Sequence, residues 1–208
     1  MTRLIETVRV RDGAVPLWPL HMARLRRSAG ALGIPKPELE CPEGGDRVVR
    51  FEVGSDGVSI TERPVPLVSP VALISSEVPH PGYPHKTTDR RAFEAAFAEC
   101  QGQHADDALL LARGGLVAES TLWTIFWWDE DQVAAPPMSL GILASVARAR
   151  IEQLVGPVVE QRIGTIGAVL RPLFAANAVR GVVPVEELDG IRLPADSRTD
   201  ELTRRFWG

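Results

Sequence analysis

Lysine is nearly absent from this chain of 208 residues, where only Lys36 and Lys86 occur against 21 arginines. Arginine replaces lysine in most solvated ion pairs, but not where an amine must lose its proton to act as a nucleophile. Where the two lysines stand is therefore more informative than their number. Cysteine is also scarce: Cys41 and Cys100 have no metal-like spacing and are too few for a disulfide framework, which fits a reducing cytoplasm. The four histidines (His21, His80, His85, His104) show no paired spacing of the kind zinc sites use, so a metal centre is not expected. No apolar run reaches the ~18 residues of a membrane span, and no apolar leader follows Met1-Thr2-Arg3, so a soluble protein made without export is expected. The net charge of −4 argues against a nucleic-acid surface spread over the molecule. What is present is a chain 45% hydrophobic, enough for one large domain or two small ones.

The opening stretch Leu4 to Val10 is β-rich, and Arg11-Asp12-Gly13 supplies a turn before Ala14 to Leu17, which predicts a hairpin. Leu25, Ala29 and Leu32 then fall at helical spacing in a segment from Leu20 that Gly33 and Pro35 close. Further strands are expected over 47–53, 58–62 and 71–74. Lys36, between two prolines, reads as part of a solvated loop. The segment Ser75 to Pro84 holds three prolines and a glycine and reads as a connection between domains. Lys86 follows it directly. Thr88 or Asp89 can cap a helix carrying Phe93, Ala96, Phe97 and Cys100 on one face, so the macrodipole is expected to disfavour an ammonium at Lys86 and lower its pKa.

Beyond that helix, Ala108 to Ala112 and Leu116 to Ala118 flank Arg113-Gly114-Gly115 as a hairpin. Glu119 interrupts the apolar pattern just before Ile125-Phe126-Trp127-Trp128, and a carboxylate there must be exposed or paired. Trp123, Trp127 and Trp128 are expected in the core and at a subunit contact. Ser145 is a natural N-cap for a helix beginning at Val146, Gly181 to Val185 gives a late strand, and the remainder reads as a polar, charged tail.

A lysine with a reason for a lowered pKa, a carboxylate on a strand, an arginine on an early helix and a helix N-terminus after a Gly-containing loop are parts that can hold pyridoxal phosphate. Spacing alone does not single them out. At these residues, however, the sequence resembles the class IV, or fold-type IV, pyridoxal-phosphate aminotransferases. Leu4 to Gly13 is similar to the family's hairpin, His21-Met22-Ala23-Arg24-Leu25 to its H-x-x-R-L helix, and His85-Lys86 to the site of its cofactor-bearing lysine. Asp107 to Leu111 with Val117-Ala118-Glu119-Ser120 resembles the strand pair bearing the pyridine-binding glutamate. Leu143 to Arg148 resembles the phosphate loop, and Asn177 to Val185 the last active-site turn. The phosphate loop departs from the usual Pro-Gly and threonine in having Ala144, Ser145 and Ala147. Thr124 stands where an asparagine is common, and Arg91 where the branched-chain transaminases have tyrosine.

The resemblance implies an α+β or α/β architecture in two domains, a small N-terminal α/β sandwich over 1–76 and a larger β-barrel-like domain over 86–208, joined by 77–85. It implies Lys86 as the catalytic amine. Arg24, Lys86, Glu119, Ser145, Val146, Ala147, Asn177 and Ala178 would bind the cofactor, while Thr7, Arg9 and Arg180 would meet a small-molecule amine substrate. The activity it implies is lyase chemistry on 4-amino-4-deoxychorismate in a cytoplasmic homodimer, the folate-biosynthetic member of the family. Transamination of a branched-chain or D-amino acid, and a non-catalytic small-molecule-binding member of the fold, are the alternatives.

Overall fold

The protein is described by a computed structural model covering residues 2–35 and 37–208; Lys36, expected in a solvated loop, itself lies outside the described residues. The first layer contains β1 (Leu4–Val10), α1 (Trp18–Leu32), β2 (Arg47–Gly54) and β3 (Gly57–Arg63), with the strands ordered β1-β2-β3 and antiparallel throughout. Alternate residues Leu4, Val8 and Val10 of β1 and Val49, Phe51 and Val53 of β2 face Met22, Leu25 and Ala29 of α1. That two-residue and 3.6-residue match is what seats the helix on the sheet. Pro19 lies in the first turn of α1, where its missing N–H costs nothing, and Gly33 closes the helix in the left-handed region at φ 64°. The hairpin expected at 11–13 is only a tight turn: Arg11 and Ala14 exchange backbone bonds, and β1 takes β2 as its partner instead. Pro16 has no N–H to continue a ladder, and the chain enters α1 two residues later.

The rest of the chain runs β4 (Val71–Ser75), α2 (Arg91–Glu99), β5 (Asp107–Ala112), β6 (Leu116–Ser120), β7 (Thr124–Asp129), β8 (Gln132–Ala135), α3 (Val146–Val155), β9 (Val159–Glu160), α4 (Thr165–Val169), β10 (Leu173–Asn177), β11 (Gly181–Leu188), β12 (Ile191–Arg192) and α5 (Arg198–Arg205). Its strands form a mixed sheet ordered β6-β5-β4-β11-β10-β7-β8-β9, with β12 on β11. The fold is thus mixed α and β, as the resemblance implies. Strand β4 pairs in parallel with both β5 and β11, so the large sheet already begins at Val71. The break between the sheets falls at 64–70, ahead of the connection expected at 77–85.

Both faces of the large sheet are covered. Ile125 and Trp127 of β7 pack with Leu109, Ala175 and Val183 on one side. Phe126 and Trp128 pack on the other with Phe174, with Val146, Ala147 and Ile151 around α3, and with Leu202 and Phe206. A strand buried on both faces reads as a continuous apolar run, which accounts for Ile125-Phe126-Trp127-Trp128. The tail expected to be polar folds as α5: most of its charged residues face out, while Thr199, Leu202 and the following Phe206 are buried.

Candidate active site

Lys86 does not stand at a helix end. It lies on an extended segment laid along the start of β1, where Ile5 N–H donates to the Lys86 carbonyl (2.8 Å) and Thr88 N–H to that of Arg3 (2.9 Å). Helix α2 begins only at Arg91, and neither Thr88 nor Asp89 caps it. The lysine is half-buried, and it lines a cavity of about 200 Å³. Burial, then the charges of Arg24 and Arg90, bring its pKa from 10.5 to about 7 against the opposing pull of Glu6 and Glu119. The lowered value expected from a helix dipole therefore has a different origin. Among the described residues, no side-chain hydrogen bond or ion pair engages the amine.

Arg24 projects from α1 onto Glu6 of β1, donating from Nε to Oε1 (2.9 Å) and from Nη2 to Oε2 (2.5 Å). Burial would raise the Glu6 carboxyl, but the Arg24 charge and hydrogen bonds from His21 and Arg24 hold it at about 2. His21 Nδ1 lies 2.7 Å from Glu6 Oε2. Burial pushes its imidazolium below the usual range against the pull of Glu6, so Nδ1–H donates and the buried Nε2 is left without a partner. The spacing H-x-x-R thus places both side chains on one face of α1 over one carboxylate. With Glu6 on one edge of its guanidinium fork, Arg24 has no partner at Nη1 among the described residues and lines the cavity.

Glu119 reaches the same cavity because β6 is irregular. Leu111 pairs with Val117 and Leu110 with Glu119, leaving Ala118 as an extra residue in the ladder. Directly paired residues share a face, so Val117 joins Leu109 in one core while Glu119 turns to the side of Ala108, Leu110 and Leu143. Its Oε1 accepts from Leu143 N–H (3.0 Å) and faces His80 Nε2 (2.8 Å); Oε2 has no partner among the described residues. Behind it, the fully buried Asp107 accepts from Ser120, Thr121 and Leu122 and shapes the loop that leaves β6.

The third wall is the start of α3. Ser145 is the N-cap, its Oγ accepting from Arg148 N–H (2.9 Å) and from the Thr124 hydroxyl (2.7 Å). The N–H groups of Val146 and Ala147 take no partner among the described residues, and both residues line the cavity. The β10–β11 turn closes the fourth side. Asn177 Oδ1 accepts from Val179 N–H (3.0 Å) and Arg180 N–H (2.7 Å), and its amide bonds the Leu122 carbonyl. That side chain braces the turn, bringing Ala178 and Arg180 to the cavity. The Arg180 guanidinium stacks on Trp123, and burial together with the neighbouring Arg63 charge lowers its pKa.

Of the site residues expected from sequence, Thr7, Arg24, Lys86, Glu119, Ser145, Val146, Ala147, Asn177, Ala178 and Arg180 all line one cavity. Arg9 does not. It points along β1 to the Val179 carbonyl (3.3 Å) and lies over the Trp207 ring, supporting the β10–β11 turn from outside. Residues the sequence reading passed over include Glu6, His80 and three further lining arginines, Arg50, Arg63 and Arg90. Arg50 is paired with Glu52, and Arg90 bonds the Thr121 carbonyl and lies over Phe93, whereas Arg63 has no ion pair among the described residues. Only the placement of Arg50 on an expected strand, and of Arg63 just past the end of another, hinted at them. Among the described residues there is no His/Cys/Asp/Glu cluster able to hold a metal and no helix long and apolar enough to cross a membrane.

The chain was compared with known proteins. It is 27% identical over 170 residues to a Schizosaccharomyces pombe protein that carries the name aminodeoxychorismate lyase provisionally, covering 72% of this chain and 73% of that one. It is 28% identical over 129 residues to the aminodeoxychorismate lyase of Vibrio harveyi, covering 60% of this chain and 48% of the relative, so it spans about half of that protein. The fold is shared with a PLP-bound hypothetical aminotransferase of Mycobacterium tuberculosis (TM-score 0.85, 18% identity, 99% and 88% coverage). It is shared as well with the branched-chain aminotransferase of Thermoproteus uzoniensis (TM-score 0.84, 20% identity, 98% and 84% coverage). Residues 58–188, well over half of the chain, match the family model for class IV amino-transferases and contain the cavity's Lys86, Glu119 and α3 walls, so this chain belongs to the class IV aminotransferases.

Proposed function

We propose that this protein is a pyridoxal-phosphate lyase that converts 4-amino-4-deoxychorismate to 4-aminobenzoate and pyruvate. The observation that carries this reading is Lys86: an unpaired amine near neutrality, in one cavity with a carboxylate that keeps an oxygen free. The residues suit the cofactor in three separate ways. Lys86 is a nucleophilic amine for covalent attachment. Glu119 Oε2 is an acceptor for a protonated ring nitrogen. Arg24 Nη1, the unpaired N–H groups of Val146 and Ala147 and the Ser145 hydroxyl are donors for a phosphate. Bound there, pyridoxal phosphate supplies an electron-withdrawing ring to the carbon next to the substrate nitrogen.

The protein's own groups have distinct tasks in this reading. Once the substrate amine has taken its place, Lys86 Nζ removes the proton from the amine-bearing carbon, and a pKa of about 7 leaves much of it in the basic form at neutral pH. Arg24 and Arg90 sustain that form by repelling an ammonium. The substrate carries two carboxylates, and Arg180 and Arg63 are suited to take them, with Thr7 as a further polar contact. Asn177 and Ala178 hold the turn that presents Arg180. The two lyase-named relatives support the choice of substrate. Assembly as a homodimer in the cytoplasm belongs to the same reading; the exposed β3 strand, with Val58 and Ile60 open, is a surface suited to a second copy.

Two measurements test this reading. Purified protein titrated with pyridoxal phosphate should develop a near-visible absorbance band that is lost in Lys86→Ala. Supplied with 4-amino-4-deoxychorismate alone, it should release pyruvate, read by coupled oxidation of NADH. Pyruvate or amine transfer appearing only with an added oxo acid would replace the lyase by a transaminase. No absorbance band at saturating cofactor would leave a non-catalytic binding protein.

A further inference from the structure

His80 is a buried polar group for which the catalytic reading has no use. Its side chain is 1% exposed and its ring stands edge-on to Phe93 at 6.1 Å. Its backbone N–H donates to the Leu111 carbonyl (2.9 Å), fixing the proline-rich connection to the far end of β5. Two residues on, Gly82 turns back at φ 73° and aims its N–H at His80 Nδ1 (3.2 Å). Pro81, lying between, has no N–H of its own to compete for that nitrogen. Nδ1 is therefore the acceptor of the ring, and Nε2 carries the hydrogen that faces Glu119 Oε1 at 2.8 Å.

We propose that His80 is a positioning residue for Glu119: locked as the Nε2–H tautomer by Gly82, it pins Oε1 so that Oε2 is the oxygen presented to the cavity. Leu143 N–H converges on the same Oε1 from the opposite strand connection (3.0 Å), so both donors load one oxygen and neither touches the other. A carboxylate on a flexible side chain has two equivalent oxygens and several rotamers; two donors at one oxygen select a single presentation. The arrangement also ties the two reactive groups together. The Pro79-His80-Pro81-Gly82 turn that sets the tautomer leads within six residues to Lys86, so the segment carrying the amine is anchored on the carboxylate it must face. This inference rests on the reading of the cavity as a cofactor site.

The experiment uses the full chain in three measurements. Nitrogen-15 NMR of histidine-labelled protein without cofactor, with the His80 signals assigned by their loss in His80→Gln, should report the Nε2–H tautomer at pH 7; the Nδ1–H tautomer would overturn the proposal. Pyridoxal phosphate affinity, followed by absorbance, should fall about tenfold in His80→Ala, the worth of one hydrogen bond to a charged group, and stay within about threefold in His80→Gln, whose amide nitrogen can reach the Nε2 position. Both variants are compared by thermal unfolding without cofactor. Equal unfolding midpoints with unequal affinities support positioning, and equal affinities refute it. His80→Ala should weaken binding far less when Glu119 is already Gln, and full additivity would count against the link. If Glu119→Gln weakens binding but His80→Ala does not, the positioning role alone falls. If neither Lys86→Ala nor Glu119→Gln alters binding, the cofactor reading falls, and this inference with it.

Discussion

Replacing Lys86 with methionine should stabilise the cofactor-free protein, and by an amount that depends on pH in a defined way. The lysine has a pKa of about 7 in the native chain and 10.5 when unfolded. Below pH 7 it is charged in both states and the full cost of holding a buried ammonium falls on the native one. Between pH 7 and 10.5 unfolding takes up a proton, so the cost declines as the pH rises, and above 10.5 it is gone. Each unit between the native and unfolded values is worth about 1.4 kcal/mol, which sets a ceiling of about 5 kcal/mol. Because Lys86 is half-buried and open to water in the cavity, roughly 2 kcal/mol is the working expectation. Urea unfolding of wild type and Lys86→Met at pH 6, 8, 9 and 10.5 measures it, and taking the difference between the two proteins cancels the other titrating groups. The variant should be the more stable at pH 6, and its advantage should shrink steadily above pH 7. A difference that stays flat across this range, or that grows with pH, would refute the assignment of a strained amine to Lys86.

Two further outcomes follow from the groups around it. Glu6→Gln leaves the Arg24 charge buried without its counter-ion and should cost about 3–5 kcal/mol in urea unfolding at pH 7. With a carboxyl held at about 2 instead of 4.5, Glu6 contributes stability that is complete above pH 4.5 and lost as the pH falls through 2; acid unfolding of the variant should lack that component. Ser145→Ala removes the cap of α3 and strands the Thr124 hydroxyl, for an expected loss of about 1–2 kcal/mol in the same assay.

Much of the site was legible in the sequence, though not always for the right reason. The scarcity of lysine drew attention to Lys86, yet its acidity comes from burial and two guanidiniums instead of a helix end, because the strand-like segment 86–88 is held to β1 by contacts more than eighty residues away in sequence. Ser145 was readable as a cap because capping is local, satisfied within three residues. His80 was not, since its partner lies 39 residues along the chain. Glu6 was hidden inside a stretch whose alternation is satisfied by strand pairing alone, and nothing local shows that α1 will set Arg24 upon it. The expected strand Leu4–Val10 formed with a different partner, because Pro16 and the start of α1 leave the following residues unable to return along it. The last helix was masked by its charge: α5 buries few side chains, and a helix with so narrow an apolar face resembles a solvated tail.

The extra residue in β6 makes the length of that strand a chemical variable. The turn Arg113-Gly114-Gly115 is exposed, and a residue gained or lost at its tip can be taken up in solvent. Between Val117 and Glu119 the extra residue decides a face. Two positions apart on a regular strand, the two side chains would look the same way; with Ala118 bulged out they stand opposite Leu111 and Leu110 and look opposite ways. Drawn into the ladder in the register of Val117, Ala118 would set the carboxylate opposite Leu109, where it would meet that residue and Trp123 instead of His80 and Leu143, a charge in an apolar core at a cost of several kcal/mol, and the cavity would lose its only free carboxylate oxygen among the described residues. Deleting Ala118 keeps both pairings, so that variant should hold its carboxylate on the cavity face and its pyridoxal phosphate affinity, and a loss of that affinity would refute the assignment of the bulge.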